Sequence, residues 1–393
     1  MRRVGERFEF RRLSDPEVPM IELYQASRGL EDVVIGDSTI SLVAGETGGL
    51  VYRGYSIEEL VPGVPYESAV HLLLFGEPPP EDPSDRVRSA LVDGRSLSVA
   101  VREIADTIAP ELPPLEALRT LLSSLGDGTY SYPPTIEQGL SLVARLPTLL
   151  AGYARRARGL PSVFPNEQLG HVANFLWMLT GEAPSPTRTS ALENYFVLLA
   201  DHGMNASTFV LRVVISTHSD LISGATAALG ALKGPLHGGA PARVVEMLDA
   251  VGVPENADGW IEAALARREL LYGFGHRAYK TEDPRAVLLK QVAQKVAAPD
   301  RLNLALSVET SALRALHERR PDARLYTNVE YWGAIVLEGV GLSRDLFTPV
   351  FALARTAGWA AHALEQAADN RLIRPEVRYT GPPSGRKWPH SRG

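Results

Sequence analysis

The sequence predicts a mainly α-helical protein with a short β element near its N-terminus. Most of the chain carries apolar residues at helical spacing, separated by proline-rich breaks at residues 77–80 and 183–186. Strand-like alternation is confined to about residues 33–53, where glycines separate short apolar runs. Because a chain of 393 residues usually holds more than one hydrophobic core, we expect two domains.

Three stretches show the helical periodicity most clearly. In each, apolar residues recur every three or four positions and so share one face of a helix. They are Leu192, Tyr195, Phe196 and Leu199; Val244, Met247, Leu248 and Val251; and Val329, Trp332, Val336 and Val340. We therefore expect a helix at each of these stretches.

The composition narrows the possible functions. The net charge of −6 gives no overall electrostatic reason to bind nucleic acid. The absence of cysteine excludes disulfides, cysteine-ligated metal sites and thiol nucleophiles. No apolar run has the length of a membrane helix, and the N-terminus lacks the apolar core of a signal peptide. We expect a cytoplasmic protein whose residues 1–19 form a flexible arm.

Three histidines lie beside glycines or at expected helix ends. His202 is in the run DHGMNAST, His237 in GPLHGGA and His276 in GFGHR. Glycine allows a ligand to approach the backbone closely, and a helix starting after His237 would direct free N–H groups toward the same loop. Spacing alone leaves other interpretations open. His237 could be incidental to a helix connection, and His202 continues an apolar stripe as a core histidine would.

The segment after His276 is rich in cations. Arg277, Lys280 and Arg285 follow within ten residues. A histidine among cations is a poor metal site but suits the binding of a carboxylate or phosphate. The alternative is a solvated charged loop, and the glycines on both sides of residue 274 favour the functional interpretation.

Glu330 is a candidate general base. Thr327 or Asn328 is a plausible N-cap, which puts Glu330 in the first turn of a helix. There the helix dipole favours the ionised carboxylate by up to about 1 kcal/mol. The more common meaning of such an acid is helix stabilisation, since a general base for a weakly acidic carbon also needs a desolvated pocket.

Taken together and in this order, these segments resemble the citrate synthase family over nearly the whole chain. The resemblance begins at residues 28–34 and 52–60. It continues through DHGMNAST, GPLHGGA, GFGHRAYKTEDPR, TNVEYW, DLFTPVFALARTAGWAAH and RLIRPEVRYTG. Each motif alone is weak, but six in register across residues 201–381 identify the chain as a member of the family.

The resemblance assigns roles that spacing could not. It implies that oxaloacetate is bound, around its oxo group and carboxylates, by His202, His276, Arg285 and Arg355. Guanidinium groups suit this work because each can meet a carboxylate in a bidentate fork. It also implies that Arg374 is donated across a dimer interface and that Lys280 binds the phosphates of CoA.

The implied reaction joins acetyl-CoA to oxaloacetate. Glu330 takes a proton from the methyl carbon while His237 stabilises the enol(ate) oxygen, and His276 polarises the oxo group that is attacked. Hydrolysis of citryl-CoA then releases citrate and CoA. By this resemblance the enzyme needs no metal and no cofactor, acetyl-CoA being a co-substrate.

The implied architecture is a two-domain helical homodimer acting in the tricarboxylic acid cycle. A large helical domain spans residues 20–237 and 343–381, a small helical domain spans 238–342, and residues 382–393 form a tail. The active site is expected in the cleft between the domains, which closes to exclude water.

One position departs from the family pattern. The best-known members carry aspartate where this chain has Glu330, and a misplaced carboxylate can cost on the order of 100-fold in rate. Either the pocket compensates, or activity is weakened or redirected. The alternatives are therefore a 2-methylcitrate synthase that uses propionyl-CoA, a non-catalytic sensor of acyl-CoA or dicarboxylates, and a helical scaffold without a ligand.

Overall fold

The computed structural model describes residues 27–31, 33–80 and 86–382, apart from the side chain of Ala240. These residues form α-helices joined by loops, with one small sheet. The helices are α1 (Ile57–Leu60), α2 (Tyr66–Phe75), α3 (Arg86–Asp93), α4 (Val99–Thr107), α5 (Pro114–Ser123), α6 (Ile136–Arg156), α7 (His171–Thr180), α8 (Pro186–Leu199), α9 (Ala206–Ser216), α10 (Leu221–Leu232), α11 (Ala240–Val251), α12 (Ala257–Ala266), α13 (Pro284–Val296), α14 (Pro299–Arg319), α15 (Val329–Val340) and α16 (Phe347–Ala368). Short 3₁₀ helices lie at Arg28–Leu30, Pro254–Asn256 and Arg344–Leu346.

The helices agree with the sequence periodicity and its breaks. The mainly helical fold is confirmed, and the three expected helices are α8, α11 and α15. The first proline-rich break follows α2, which is capped by Gly76 at a φ of 88°. In the second, α8 begins at Pro186 itself, because the proline ring suits the first helical position.

The sheet consists of β1 (Ser41–Ala44), β2 (Gly49–Tyr52) and β3 (Tyr55–Ser56). The strands are antiparallel in the order β1-β2-β3, with Ser41 opposite Tyr52 and Val51 opposite Ser56. The predicted β element is thus confirmed, but residues 33–40 form no strand. Val33, Val34 and Ile35 are exposed, so their apolar character has no buried face to pack against.

Helix α16 forms the centre of the core. It contacts α2, α6, α8, α9 and α10, and every residue from 349 to 363 is buried. Gly358 lets α16 pass close to the loop that follows α8, because a Cβ there would lie 2.4 Å from the Ala200 carbonyl oxygen. The residues that α16 carries inward are therefore held by packing from several helices.

A second group of helices packs around α15. This helix contacts α8, α11 and α13, while α12 packs on α14. The first turn of α15 and the start of α13 lie close together, since the Asp283 carboxylate accepts the N–H of Val329 at 3.1 Å.

The contacts divide the chain into two units. Residues 38–373 contain the sheet and α1–α16, while the terminal residues 1–37 and 374–393 make up the other unit. The expected arm of residues 1–19, and all but residue 382 of the expected tail, lie outside the described residues. The domain boundaries at residues 238 and 342 stay a prediction. None of the helices that the structure describes is both long and apolar enough to span a bilayer.

Candidate active site

Elements far apart in the sequence carry the candidate residues. These are the loop after α8 (His202), the turn between α10 and α11 (His237), the loop before α13 (His276), α13 (Arg285), the first turn of α15 (Glu330) and α16 (Arg355). The His202 imidazole lies within electrostatic range of Arg285, His276, Arg355 and His237. Glu330 lies within range of the same two arginines. The structure therefore brings six of the expected site residues into one cluster.

His202 lies in the loop beyond α8 and not on the helix stripe that the sequence suggested. The helix ends at Leu199, and the His202 ring is buried. Its Nε2 is 3.1 Å from the Tyr279 hydroxyl, and its ring centroid is 5.4 Å from that of His276. Burial, followed by the positive charge of Arg285, holds the pKa of His202 well below its usual value, so the ring is neutral.

The tautomer of His276 follows from its hydrogen bonds. The backbone N–H groups of Ala278 and Tyr279 donate to its Nδ1 at 2.9 and 3.1 Å. Nδ1 therefore carries no proton, and the neutral ring has its proton on Nε2. Arg285 Nη2 also lies 3.4 Å from Nε2, but this distance is beyond the usual hydrogen-bond range and does not require Nε2 to accept. Burial, and then the charge of Arg285, lower the pKa of His276 to about 4, so this neutral form persists at pH 7.

Arg285 is clamped by Asp283. Its Nε and Nη2 donate to the two carboxylate oxygens at 3.0 and 2.8 Å, and both residues are buried. Despite burial, which lowers it, the pKa of Arg285 is raised by this carboxylate. Asp283 also caps α13 by accepting the N–H of Arg285, so one side chain fixes both the helix start and the guanidinium.

Arg355 is held differently. Its Nε donates to the Leu199 carbonyl at 2.7 Å, and it is 1% exposed, yet its Nη2 has no hydrogen-bond partner among the described residues. Burial lowers the pKa of Arg355, but a guanidinium stays charged in proteins. A buried cation with an unpaired donor is a site at which an anion would be stabilised.

His237 is supported by Ser207 at the start of α9. Its Nε2 lies 2.9 Å from the Ser207 hydroxyl, and the Ser207 N–H points to the same atom at 3.3 Å. The Ser207 N–H is shared with Asn205 Oδ1 at 3.1 Å, and its contact with His237 favours an acceptor role for Nε2, which leaves the proton on Nδ1. Asn205 Oδ1 competes for the hydroxyl proton at 2.8 Å. Burial lowers the pKa of His237 to about 4, so this ring too is neutral.

Glu330 lies in the first turn of α15, and Asn328 is the N-cap, its Oδ1 accepting the Glu330 N–H at 3.0 Å. The Glu330 carboxylate has no hydrogen bond to any described residue. Burial raises its pKa to about 7, against the pull of Arg285 and Arg355. Desolvation is therefore the largest influence on the pKa of Glu330.

The two other expected binding residues are Lys280 and Arg374. Lys280 forms an ion pair with Glu46 in the β1–β2 turn, and its backbone N–H donates to the Gly45 carbonyl at 2.9 Å. Arg374 belongs to the unit of terminal residues.

Sequence reasoning assigned no role to Ser207, Tyr279 or Asp283, which contact His237, His202 and Arg285, respectively. For Asp283 a signal was present, because an aspartate directly before a proline is a common helix start. Nothing local marks Ser207, whose contact with His237 spans 30 residues.

The match to known proteins decides the family. The family model described as citrate synthase, C-terminal domain, matches residues 29–376. The chain belongs to the citrate synthase family. Among curated members, the citrate synthase of Haloferax volcanii is 40% identical over 370 residues, which cover 91% of this chain and 96% of the relative. The 2-methylcitrate synthase of Mycobacterium tuberculosis is 36% identical over 361 residues, 90% of each chain.

Solved citrate synthase structures agree with the fold. The ternary complex of carboxymethyl coenzyme A and oxaloacetate with citrate synthase from Thermoplasma acidophilum superimposes with a TM-score of 0.87 at 28% identity. The match covers 93% of this chain and 99% of that one. The fold class expected from the sequence is therefore that of the citrate synthase family.

Proposed function

We propose that this protein is a citrate synthase, condensing acetyl-CoA with oxaloacetate and hydrolysing citryl-CoA to citrate and CoA. The observation that carries the proposal is the cluster of three neutral histidines, two buried arginines and one carboxylate of raised pKa. It combines cations for a dicarboxylate, N–H donors for two developing oxyanions, and a base for a weakly acidic carbon.

The oxo-acid group, which we define as His202, His276, Arg285 and Arg355, binds oxaloacetate in this proposal. The two guanidinium groups meet the carboxylates, and the unpaired Nη2 of Arg355 supports such a contact. The Nε2–H of His276 donates to the oxo oxygen, which withdraws electrons from the carbon to be attacked. This hydrogen bond strengthens as negative charge develops on that oxygen.

Glu330 and His237 act on the acyl group. The ionised carboxylate of Glu330 takes a proton from the methyl carbon, while the Nδ1–H of His237 donates to the thioester oxygen and stabilises the enol(ate). The pKa of about 7 supports this role, because a base is most effective when its pKa lies near the working pH. The enol(ate) carbon then bonds to the oxo carbon as the π bond of the oxo group breaks, and the former oxo oxygen takes up a proton to become the hydroxyl of citryl-CoA. Water then cleaves the thioester to release citrate and CoA.

Other parts of the proposal rest on family resemblance. Lys280 binds a CoA phosphate, which requires that phosphate to compete with Glu46 for its ammonium group. The protein is a homodimer in which Arg374 reaches the partner's site, and residues 238–342 form a small domain that closes over the substrates. Its place in the tricarboxylic acid cycle and in the cytoplasm is proposed on the same basis.

A thiol-release assay with oxaloacetate and either acetyl-CoA or propionyl-CoA tests the proposal. We expect turnover with both and a higher kcat/KM for acetyl-CoA, since one methylene is typically worth only about 1–3 kcal/mol in a pocket. A clearly higher kcat/KM for propionyl-CoA would instead identify a 2-methylcitrate synthase. Oxaloacetate binding without turnover of any short acyl-CoA would identify a sensor, and absence of binding would favour the scaffold.

A further inference from the structure

Next to His202 in the sequence, Asp201 ends a chain of charged and polar side chains that are buried except for the partly exposed Glu365, and no step of the proposed reaction uses this chain. It runs from Glu365 through Arg212 and His362 to Asp201. The Nη1 of Arg212 is 2.7 Å from Glu365 Oε2 and 2.9 Å from His362 Nδ1. His362 and Asp201 are both 0% exposed, and His362 Nε2 lies 3.3 Å from Asp201 Oδ1. This series of contacts connects α9 and α16 to the loop that carries His202.

The positions of the protons determine which group donates in each contact. Arg212 carries only donors, so its N–H donates to His362 Nδ1, which therefore has no proton. The proton of the neutral imidazole is consequently on Nε2, facing Asp201 Oδ1. At 3.3 Å this is an electrostatic contact and not a formed hydrogen bond, since neither His362 Nε2 nor Asp201 Oδ1 has a hydrogen-bond partner among the described residues. The two groups are fully buried, so their attraction is little screened by water.

The other oxygen of Asp201 braces the loop on both sides of His202. Asp201 Oδ2 accepts the Gly203 N–H at 2.8 Å and the hydroxyl proton of Ser41 in β1. Ser41 in turn accepts the Gly203 N–H at 3.0 Å. The Asp201 backbone is held as well, because the Tyr52 hydroxyl donates to its carbonyl at 2.9 Å. The carboxylate of Asp201 therefore stabilises the conformation of residues 201–203.

We propose that His362 is a positioning residue, which orients the Asp201 carboxylate and thereby fixes His202 for binding the substrate carboxylates. This inference rests on the proposed function, since it assumes that His202 contacts oxaloacetate. His202 lies in a loop beyond the end of α8, so no helix holds it in place. The contact between the His362 Nε2–H and Asp201 Oδ1 supplies that constraint from the packed interior of α16.

Two conservative substitutions separate positioning from simple packing. In His362→Gln the amide nitrogen can take the place of Nε2 and still donate to Asp201, whereas in His362→Asn the shorter side chain reaches only the place of Nδ1. Arg212 keeps Glu365 as a partner in both variants. His317→Asn, at an exposed position in the last turn of α14, is the matched control.

We measure kcat, both KM values, oxaloacetate affinity by calorimetry and the thermal unfolding midpoint of each variant. His362→Asn should raise the KM and Kd for oxaloacetate about tenfold, because even an ångström-scale displacement of a binding group is costly. The KM for acetyl-CoA should not change, and His362→Gln and His317→Asn should stay within about twofold of the unaltered protein.

Equal oxaloacetate KM and Kd values for the Asn and Gln variants would overturn the inference, even if both unfold at lower temperature. If His362→Asn does not fold, Ser41→Ala takes its place, since it removes a second brace of Asp201 from a half-buried strand position. An unchanged oxaloacetate KM in Ser41→Ala would likewise overturn it. Failure of the unaltered protein to bind or turn over oxaloacetate would instead refute the proposed function, so the two failures are distinguishable.

Discussion

The oxo-acid group and Glu330 share one site but are built in opposite ways. Arg285 has a bidentate carboxylate partner, and His276 accepts two backbone N–H groups. Glu330 is partly buried, yet its carboxylate has no hydrogen bond to a described residue and its pKa is raised to about 7. The fold therefore stabilises Arg285 and His276 by hydrogen bonds before any substrate binds, whereas it provides none to the Glu330 carboxylate.

This difference follows from what each group must do. A binding group works best when it is already oriented, because little entropy is then lost when the substrate arrives. A base must gain from accepting a proton, and hydrogen bonds to its ionised form would lower its pKa and weaken it. The contrast between the hydrogen-bonded Arg285 and His276 and the carboxylate of Glu330, which lacks such bonds, can be tested on both sides of the site.

The largest expected effect is a loss of kcat when the general base Glu330 is replaced. Glu330→Gln keeps the shape of the side chain but cannot accept the proton, so kcat should fall by about a thousandfold, within the range that general-base catalysis supplies. Oxaloacetate affinity, measured by calorimetry, should be unchanged, because Glu330 does not contact this substrate in the proposed mechanism. Glu318→Gln, at an exposed position of α14, is the control and should be fully active. Substantial turnover by the Glu330 variant would remove it from the mechanism.

The same substitution should stabilise the fold at high pH. A carboxyl group whose folded pKa is raised destabilises the protein once it ionises, an effect absent below about pH 4.5 and complete above about pH 7. Since one pKa unit is worth about 1.4 kcal/mol, Glu330→Gln should raise the free energy of unfolding by up to about 3 kcal/mol at pH 8 and by little at pH 5. Urea unfolding of both proteins at pH 5 and pH 8 measures this. The same difference in unfolding free energy at both pH values would contradict the prediction.

A smaller loss is expected at the arginine that has an unpaired donor. Arg355→Lys keeps the charge but loses the guanidinium fork, so oxaloacetate should bind about 10- to 100-fold more weakly, the equivalent of one charge-assisted hydrogen bond. Titration calorimetry measures this change. Arg319→Lys, at a half-exposed ion pair between α14 and α12, should bind as the unaltered protein does. Equal affinities of Arg355→Lys and the unaltered protein would show that Arg355 does not meet the substrate.

The smallest effect is expected at Ser207, which supports His237 by a neutral hydrogen bond. Such a bond is worth about 0.5–1.5 kcal/mol, so Ser207→Ala should lower kcat about two- to tenfold. The KM for oxaloacetate should not change, because His237 belongs to the acyl side of the proposed reaction. Steady-state kinetics at saturating acetyl-CoA test this, and a change confined to the oxaloacetate KM would show that Ser207 acts on the other substrate.

The parts of this molecule that the sequence predicted are the local ones. The helices α8, α11 and α15 follow from apolar periodicity, and the start of α15 follows from Asn328 as an N-cap. The family motifs named six residues that the structure brings together. Each of these inferences depends on residues a few positions apart, or on a pattern already recognised as a whole.

What the sequence could not predict depends on contacts across the chain. The Asp283 carboxylate serves Arg285 two residues away but also Val329 on a different helix. The link from Arg212 to His362 spans 150 residues. The pKa of Glu330 reflects a competition between burial and two arginines that are distant in the sequence.

The most direct test of this contrast is the titration of Glu330 itself. Carbon-13 NMR of the protein labelled at the glutamate side-chain carboxyl, compared with Glu330→Gln to assign the signal, measures its pKa in the absence of substrate. The account predicts a midpoint near pH 7, well above that of ordinary glutamates. A midpoint near 4.5 would show that Glu330 is as well stabilised as the groups around it, and would contradict the distinction between binding and reacting groups.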